Sequence, residues 1–109
     1  MKRVICLLAA FFALAVLGAQ AASTTSTGWI SDSMCGAKMS SGTKADVACV
    51  TKCIQNGMKP VFVDASKEVW SIDNPNVVNK SFYGAHVKVT VTEDAANKSV
   101  HIDSIAAAK

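Results

Sequence analysis

His86-Val87-Lys88-Val89-Thr90-Val91-Thr92 decides the fold. Valine alternates with charged or hydroxyl-bearing residues at a period of two, the pattern of a half-buried strand. Val87, Val89 and Val91 therefore face inward, and His86, Lys88, Thr90 and Thr92 face outward. Val100 and Ile102 repeat the alternation after the polar run Glu93 to Lys98. The two runs read as a hairpin. A register that sets Val91 against Val100 and Val89 against Ile102 places Lys88 opposite Asp103, an opposite-charge cross-strand pair.

Upstream, Pro60 to Asp64 and Glu68 to Asp73 are strand-like and flank Ala65-Ser66-Lys67, which predicts a second hairpin. Asn74-Pro75-Asn76 is a turn, and Val77 to Gly84 is a connector. Gly28 to Asp32 reads as the first strand, and Ser33 to Gly42 as a loop. Thr43 and Asp46 have capping-box spacing, with Asp in place of the usual Glu or Gln. They open a helix over residues 44–56, whose apolar face is Val47, Val50 and Ile54 and whose stop is Gly57. Five short strands and one helix predict an α+β domain that is mostly β. The first choice is a small five-stranded OB-like barrel or curled antiparallel sheet with the α-helix across it. A two-layer α+β sandwich comes second.

The N-terminus has a different character. Lys2 and Arg3 precede an uncharged apolar run from Val4 to Gly18, and Ala19-Gln20-Ala21 offers small residues at a cleavage position. These are the parts of a secretory signal peptide, assigned to residues 1–21. The run is short for a spanning helix, which needs about 20 apolar residues. Cys6 lies at the start of the apolar core and leaves with the signal. Residues 22–27 form a flexible leader, residues 28–105 a single OB-like domain, and residues 106–109 a frayed tail. The expected location is secreted or periplasmic, without stable membrane insertion after cleavage.

Cleavage leaves 88 of the 109 residues, enough for one domain. Loss of Lys2 and Arg3 leaves nine basic against eight acidic residues, a net charge of +1 instead of +3. No basic stripe remains to hold nucleic acid. A chain this short buries a limited core and gains from a staple. Cys35, Cys49 and Cys53 are the cysteines after cleavage, and an exported chain meets an oxidising environment. Cys49 and Cys53 stand one above the other on a helix, an awkward geometry for a mutual bridge. The expected disulfide joins Cys35 to Cys49 or to Cys53.

Gly28-x-Ile30-x-Asp32, then Met34-Cys35-Gly36, then Asp46-x-x-Cys49-x-x-x-Cys53-x-x-x-Gly57 and a late Val-rich hairpin resemble a family of small exported bacterial proteins of uncharacterised function. The resemblance spans nearly the whole chain after the signal. It implies an OB-like barrel and an exported location, and no particular reaction. Members of that family often carry a histidine a few residues after the Cys-Gly. This chain has Met39 there, which weakens a histidine-based metal site.

The chemistry on offer is sulfur. Cys35, Cys49 and Cys53, with Met39 as a fourth soft ligand, are a candidate set for copper or zinc. The bland alternative is a structural bridge plus one buried thiol. Thiol redox chemistry is a third reading, without the usual Cys-x-x-Cys spacing. Trp29, Trp70 and Tyr83 are the candidate surface for a small ligand or partner, in which Trp70 takes part only if it, and not Val69, faces outward. His86 and His101 lie on the outer face. With His101 opposite Thr90 they are roughly 13 Å apart at 3.3 Å per residue, too far to share a metal. No Gly-rich phosphate loop, His-Glu-x-x-His or Gly-x-Ser-x-Gly is present. The sequence thus predicts a non-enzymatic, disulfide-stabilised barrel, with no cofactor, that binds a small ligand or an envelope protein. The alternative is a cysteine-based metal or thiol redox protein.

Overall fold

The structure, a computed structural model, describes residues 23–108. The signal-peptide assignment falls outside them. Five strands form a closed barrel in the order β1-β2-β3-β5-β4: β1 (Ser23–Asp32), β2 (Pro60–Asp64), β3 (Val69–Ile72), β4 (His86–Asp94) and β5 (Ser99–Ala107). Helix α1 (Lys44–Gln55) lies between β1 and β2 in sequence. The barrel is OB-like, as the alternation predicts. All pairings are antiparallel except β3 with β5, which is parallel.

β1 closes the barrel because it serves two neighbours. Its first part, Ser23 to Trp29, pairs with β4, and its second, Gly28 to Asp32, pairs with β2. Gly28 sits at the handover. A Cβ there would lie 2.2 Å from the Val63 carbonyl oxygen and 2.8 Å from the Phe62 ring, so only glycine lets the strands approach. Inside, Ile30, Phe62, Trp70, Ile72, Val78, Val87, Val89, Val91, Val100 and Ile102 form one buried cluster. Val61 and Val63 alternate with Phe62 and so face away from it, yet both are buried. β2 is covered on both faces, because the short 3₁₀ turn Gly36–Met39 lies against β1 and β2 and α1 packs on β1 and on that turn.

The helix begins and ends close to expectation. Thr43 caps it by accepting from the Asp46 backbone N–H at 3.2 Å. The reciprocal half of the capping box is not made. The Asp46 carboxylate instead accepts from the Ser41 backbone N–H at 3.1 Å and from the Ser41 hydroxyl. Of the predicted apolar face, Val50 is fully buried, while Val47 and Ile54 are half-buried.

Three expectations are corrected. Residues 23–27 are not a flexible leader but the first half of β1, hydrogen-bonded along β4, with Thr25 and Thr90 hydroxyls 3.0 Å apart. Residues 106 and 107 are not frayed, since Ala106 pairs with Lys88, Ala107 with Val87, and the Ala108 N–H donates to the His86 carbonyl at 3.0 Å. The β4–β5 register is displaced by two residues at Val91, which faces Ile102, and by three at Val89, which faces Ile105. A β-bulge at Thr90/Val91 leaves Asp103 between the pairs Thr90–Ser104 and Val91–Ile102. Bulges supply the bend that barrel closure needs, and alternation alone does not reveal them. Lys88 therefore does not meet Asp103. The Asp103 carboxylate accepts from Thr92 Oγ1 at 3.2 Å and Ser23 Oγ at 3.4 Å, tying β5 to β4 and β1.

Candidate functional site

Asp32, the last residue of β1, organises the loop that follows it. It is fully buried. Its Oδ1 accepts from the backbone N–H groups of Met34 at 3.0 Å and Cys35 at 2.9 Å, an Asx-type turn that aims Cys35. Ser31, also fully buried, donates from Oγ to the Gly36 carbonyl at 2.7 Å. Ser33 N–H donates to the Lys59 carbonyl at 2.9 Å. The left-handed φ of Gly36, +53°, completes the turn.

α1 presents the other two cysteines to this loop. Cys49 and Cys53, one helical turn apart, share a face, and the helix is seated close by Gly84. A Cβ on Gly84 would lie 2.6 Å from the Val47 α-carbon, and the Gly84 N–H donates to the Ile30 carbonyl at 2.8 Å. A second clamp holds the segment before the helix. Lys67 Nζ donates to the carbonyl and hydroxyl of Ser40 at 2.9 and 3.1 Å and rides 3.8 Å over the Trp29 ring. At the far end, the Cys53 carbonyl accepts from Asn56 and Met58 N–H at 3.2 and 3.0 Å.

The result is a tight cluster. The Sγ atoms of Cys35, Cys49 and Cys53 all lie within 4.8 Å of one another, and all three side chains are half-buried. The expected bridge from Cys35 to Cys49 or Cys53 is not formed here, and all three are free thiols. Burial pushes the Cys35 thiol up to about 11, aided by the Asp32 charge and then by Cys49 and Cys53. Burial first, then Asp32 and Cys49, also raises Cys53. A catalytic or redox nucleophile shows the reverse, a thiol lowered by a neighbouring cation or helix N-terminus. Asp32 Oδ2 is itself buried and has no hydrogen-bond partner among the described residues.

That set of groups fits a thiophilic cation. Three thiolates around zinc at about 2.3 Å stand about 3.8 Å apart in a tetrahedron, inside the separation found here. Met39, half-buried at the end of the 3₁₀ turn, and Met34, 71% exposed beside Cys35, flank the loop cysteine in sequence. Met58 Sδ lies 3.9 Å from the Ser33 hydroxyl. All three methionines among the described residues thus lie in or against the segments that carry the cysteines.

The aromatic candidates are not brought together. Trp70 is buried, and Val69 is the one turned outward. The Trp70 indole N–H donates to Asp64 Oδ2 at 3.0 Å, and Lys98 Nζ lies 4.5 Å from its ring. Trp70 therefore belongs to the core and not to a binding surface. β3 is buried on its Trp70–Ile72 face, which alternation across Val69-Trp70 left open. Tyr83 is half-buried and packs on the core. Trp29 is half-buried, with His86 stacked on it at 4.7 Å between centroids and Lys67 above the ring. The histidines are exposed, as expected. His101 opposes Thr92 and not Thr90, and its Nδ1 is 2.7 Å from Asp73 Oδ1.

Sequence reasoning missed Gly84, Lys67 and Ser31, which act by seating segments distant in sequence. The signal for Asp32 was present, since Asp at the end of a strand and three residues before Cys35 is a turn former. Among the described residues no helix is long and apolar enough to cross a membrane. No protein-family model, curated protein or solved structure matches this chain.

Proposed function

We propose that this chain is an exported metal-binding domain that holds one thiophilic d¹⁰ cation, Zn²⁺ or Cu(I), on Cys35, Cys49 and Cys53. The observation that carries the reading is the convergence of three sulfurs from two separate segments within 4.8 Å. A structural bridge needs two sulfurs, and a metal site uses all three. Soft thiolates suit zinc and Cu(I), whereas calcium and magnesium require oxygen ligands. Three thiolates also quench the Lewis acidity of a bound zinc, so the domain serves as a carrier or store in the envelope and not as a hydrolase. The secretory signal puts it in a compartment where metal is handled outside the cytoplasm.

Titration of the reduced, exported protein with Zn²⁺ and with Cu(I), read by native mass spectrometry, tests this. One ion per chain is expected, with Cys35→Ser and Cys49→Ser each losing it. Unchanged binding in both variants overturns the reading. A second reading rests on the same distances: Cys35 is close enough to either helix cysteine for a small movement to form a bridge. Peptide mapping that finds Cys35 linked to Cys49 or Cys53 in the native compartment favours that stapled scaffold, binding a small ligand or an envelope partner instead of a metal.

A further inference from the structure

Asp32 Oδ2 has no partner in the fold, and it is the one buried side-chain polar atom among the described residues in that state. Leaving such a group unpaired costs the full desolvation of that group, and more when it is charged. Against the small net stability of a typical domain, that is a large standing penalty. The turn itself does not need it. Oδ1 alone takes both backbone N–H groups of the loop, and an asparagine would do the same. The second oxygen is therefore an acceptor kept in reserve. It belongs to a fully buried side chain, and its charge bears on Cys35 and Cys53.

Resting on the three-thiolate reading, we propose that the ion at this site is Zn²⁺ in four-coordination, with a water as fourth ligand hydrogen-bonded to Asp32 Oδ2. Asp32 does not join the set of ligand atoms within 4.8 Å, so it acts one step out from the metal. A metal-bound water bridges that gap and supplies the missing donor. The choice of ion follows from coordination number. Cu(I) is satisfied by soft sulfur and gains nothing from a water, whereas zinc takes four ligands and accepts oxygen readily. The competing completion is the Met39 thioether, which would make an all-sulfur site. Asp32 is thus a positioning residue for an exchangeable fourth ligand, which leaves an open place through which zinc is handed on.

Zinc-edge X-ray absorption on the wild-type zinc form reads the coordination shell directly. Three sulfurs at about 2.3 Å and one oxygen at about 2.0 Å are expected. Four sulfurs, or three sulfurs alone, overturn the inference while leaving the three-thiolate reading intact. Fewer than three sulfurs removes both. Asp32→Asn keeps the turn acceptor and replaces Oδ2 by an amide. It should weaken Zn²⁺, measured against a competing chelator, by about 10-fold or more, as loss of a partner beyond the ligand shell does, and leave Cu(I) affinity within about 2-fold. Met39→Leu should leave zinc unchanged. Equal zinc affinity in Asp32→Asn and wild type counts against the proposal. Should Asp32→Asn fail to fold, the wild-type shell still decides.

Discussion

Gly84 meets Val47 where no side chain fits: a Cβ on Gly84 would stand 2.6 Å from the Val47 α-carbon and 3.0 Å from its nitrogen. This one contact sets how closely α1 approaches the barrel, and so where Cys49 and Cys53 stand relative to Cys35. The obstruction is backbone, which does not swing aside.

Gly84→Ala should therefore lower stability by about 2 kcal/mol or more, because overpacking adds to the strain of φ +74°. It should also weaken metal binding, since the helix must back away from the loop. Gly57→Ala is the control. Gly57 has φ +104° with nothing within 4 Å, so backbone strain alone, about 1 kcal/mol, is expected and metal affinity should hold. Urea denaturation and zinc competition on both variants check this.

Asp64 links folding to pH. Burial pulls its carboxyl upward, but the hydrogen bonds from Trp70, Glu68 and Ser66, with the Lys98 charge, outweigh it and hold the group below its ordinary value. A carboxyl lowered in the folded state stabilises above the unfolded pKa, near 3.9, and loses that contribution as pH falls through the folded value. Asp46 is lowered too, chiefly by Ser41, and acts in the same direction. Urea midpoints should fall as pH drops from about 5 toward 2. Asp64→Asn should flatten part of that slope and cost about 1 kcal/mol at neutral pH through the weakened Trp70 bond.

The two tryptophans should report separately. Trp70 is 8% exposed and lies in the core, while Trp29 is half-buried between its partners. Acrylamide should quench Trp29 and spare Trp70, as single-tryptophan variants with Phe at the other position will show. Trp70→Ala should cost about 3–5 kcal/mol, as buried aromatic truncations do. Val69→Ala, on the outer face of the same strand, should cost less than about 1 kcal/mol.

Deleting residues 106–109 should destabilise the barrel. Ala106 and Ala107 make the last β4–β5 pairs, and the Ala108 N–H reaches the His86 carbonyl. Loss of those bonds at an end of the sheet should cost about 1–2 kcal/mol. Hydrogen exchange on residues 86–88 should quicken in step. An unchanged melting curve would mean that the pairing contributes nothing.

Much of the architecture was legible in the residues. Helix α1 could be read because Thr43 and Gly57 bracket a run of 3.6-residue period, and both act within a turn of themselves. The β4 alternation was legible for the same local reason. Its register against β5 was not, because the bulge at Thr90/Val91 answers to the curvature of the whole barrel. The leader and tail were misread as free ends, since short Ser/Thr and Ala runs carry no strand signal until β4 lies between them. Trp70 facing inward was equally beyond a four-residue strand with Val and Trp adjacent.

By itself, then, the sequence determined that five strands form and where the middle of each lies, where the single helix starts and stops, and that Cys35, Cys49 and Cys53 are the reactive inventory. Period and capping are local, and they act before the chain is packed. Only the tertiary structure decided that three sulfurs from a loop and a helix converge, that a buried Asp32 keeps one oxygen unpaired, and that Gly84 sets the spacing. Those facts arise between segments separated by tens of residues, where the closeness of two backbones, and not the character of either, fixes the outcome.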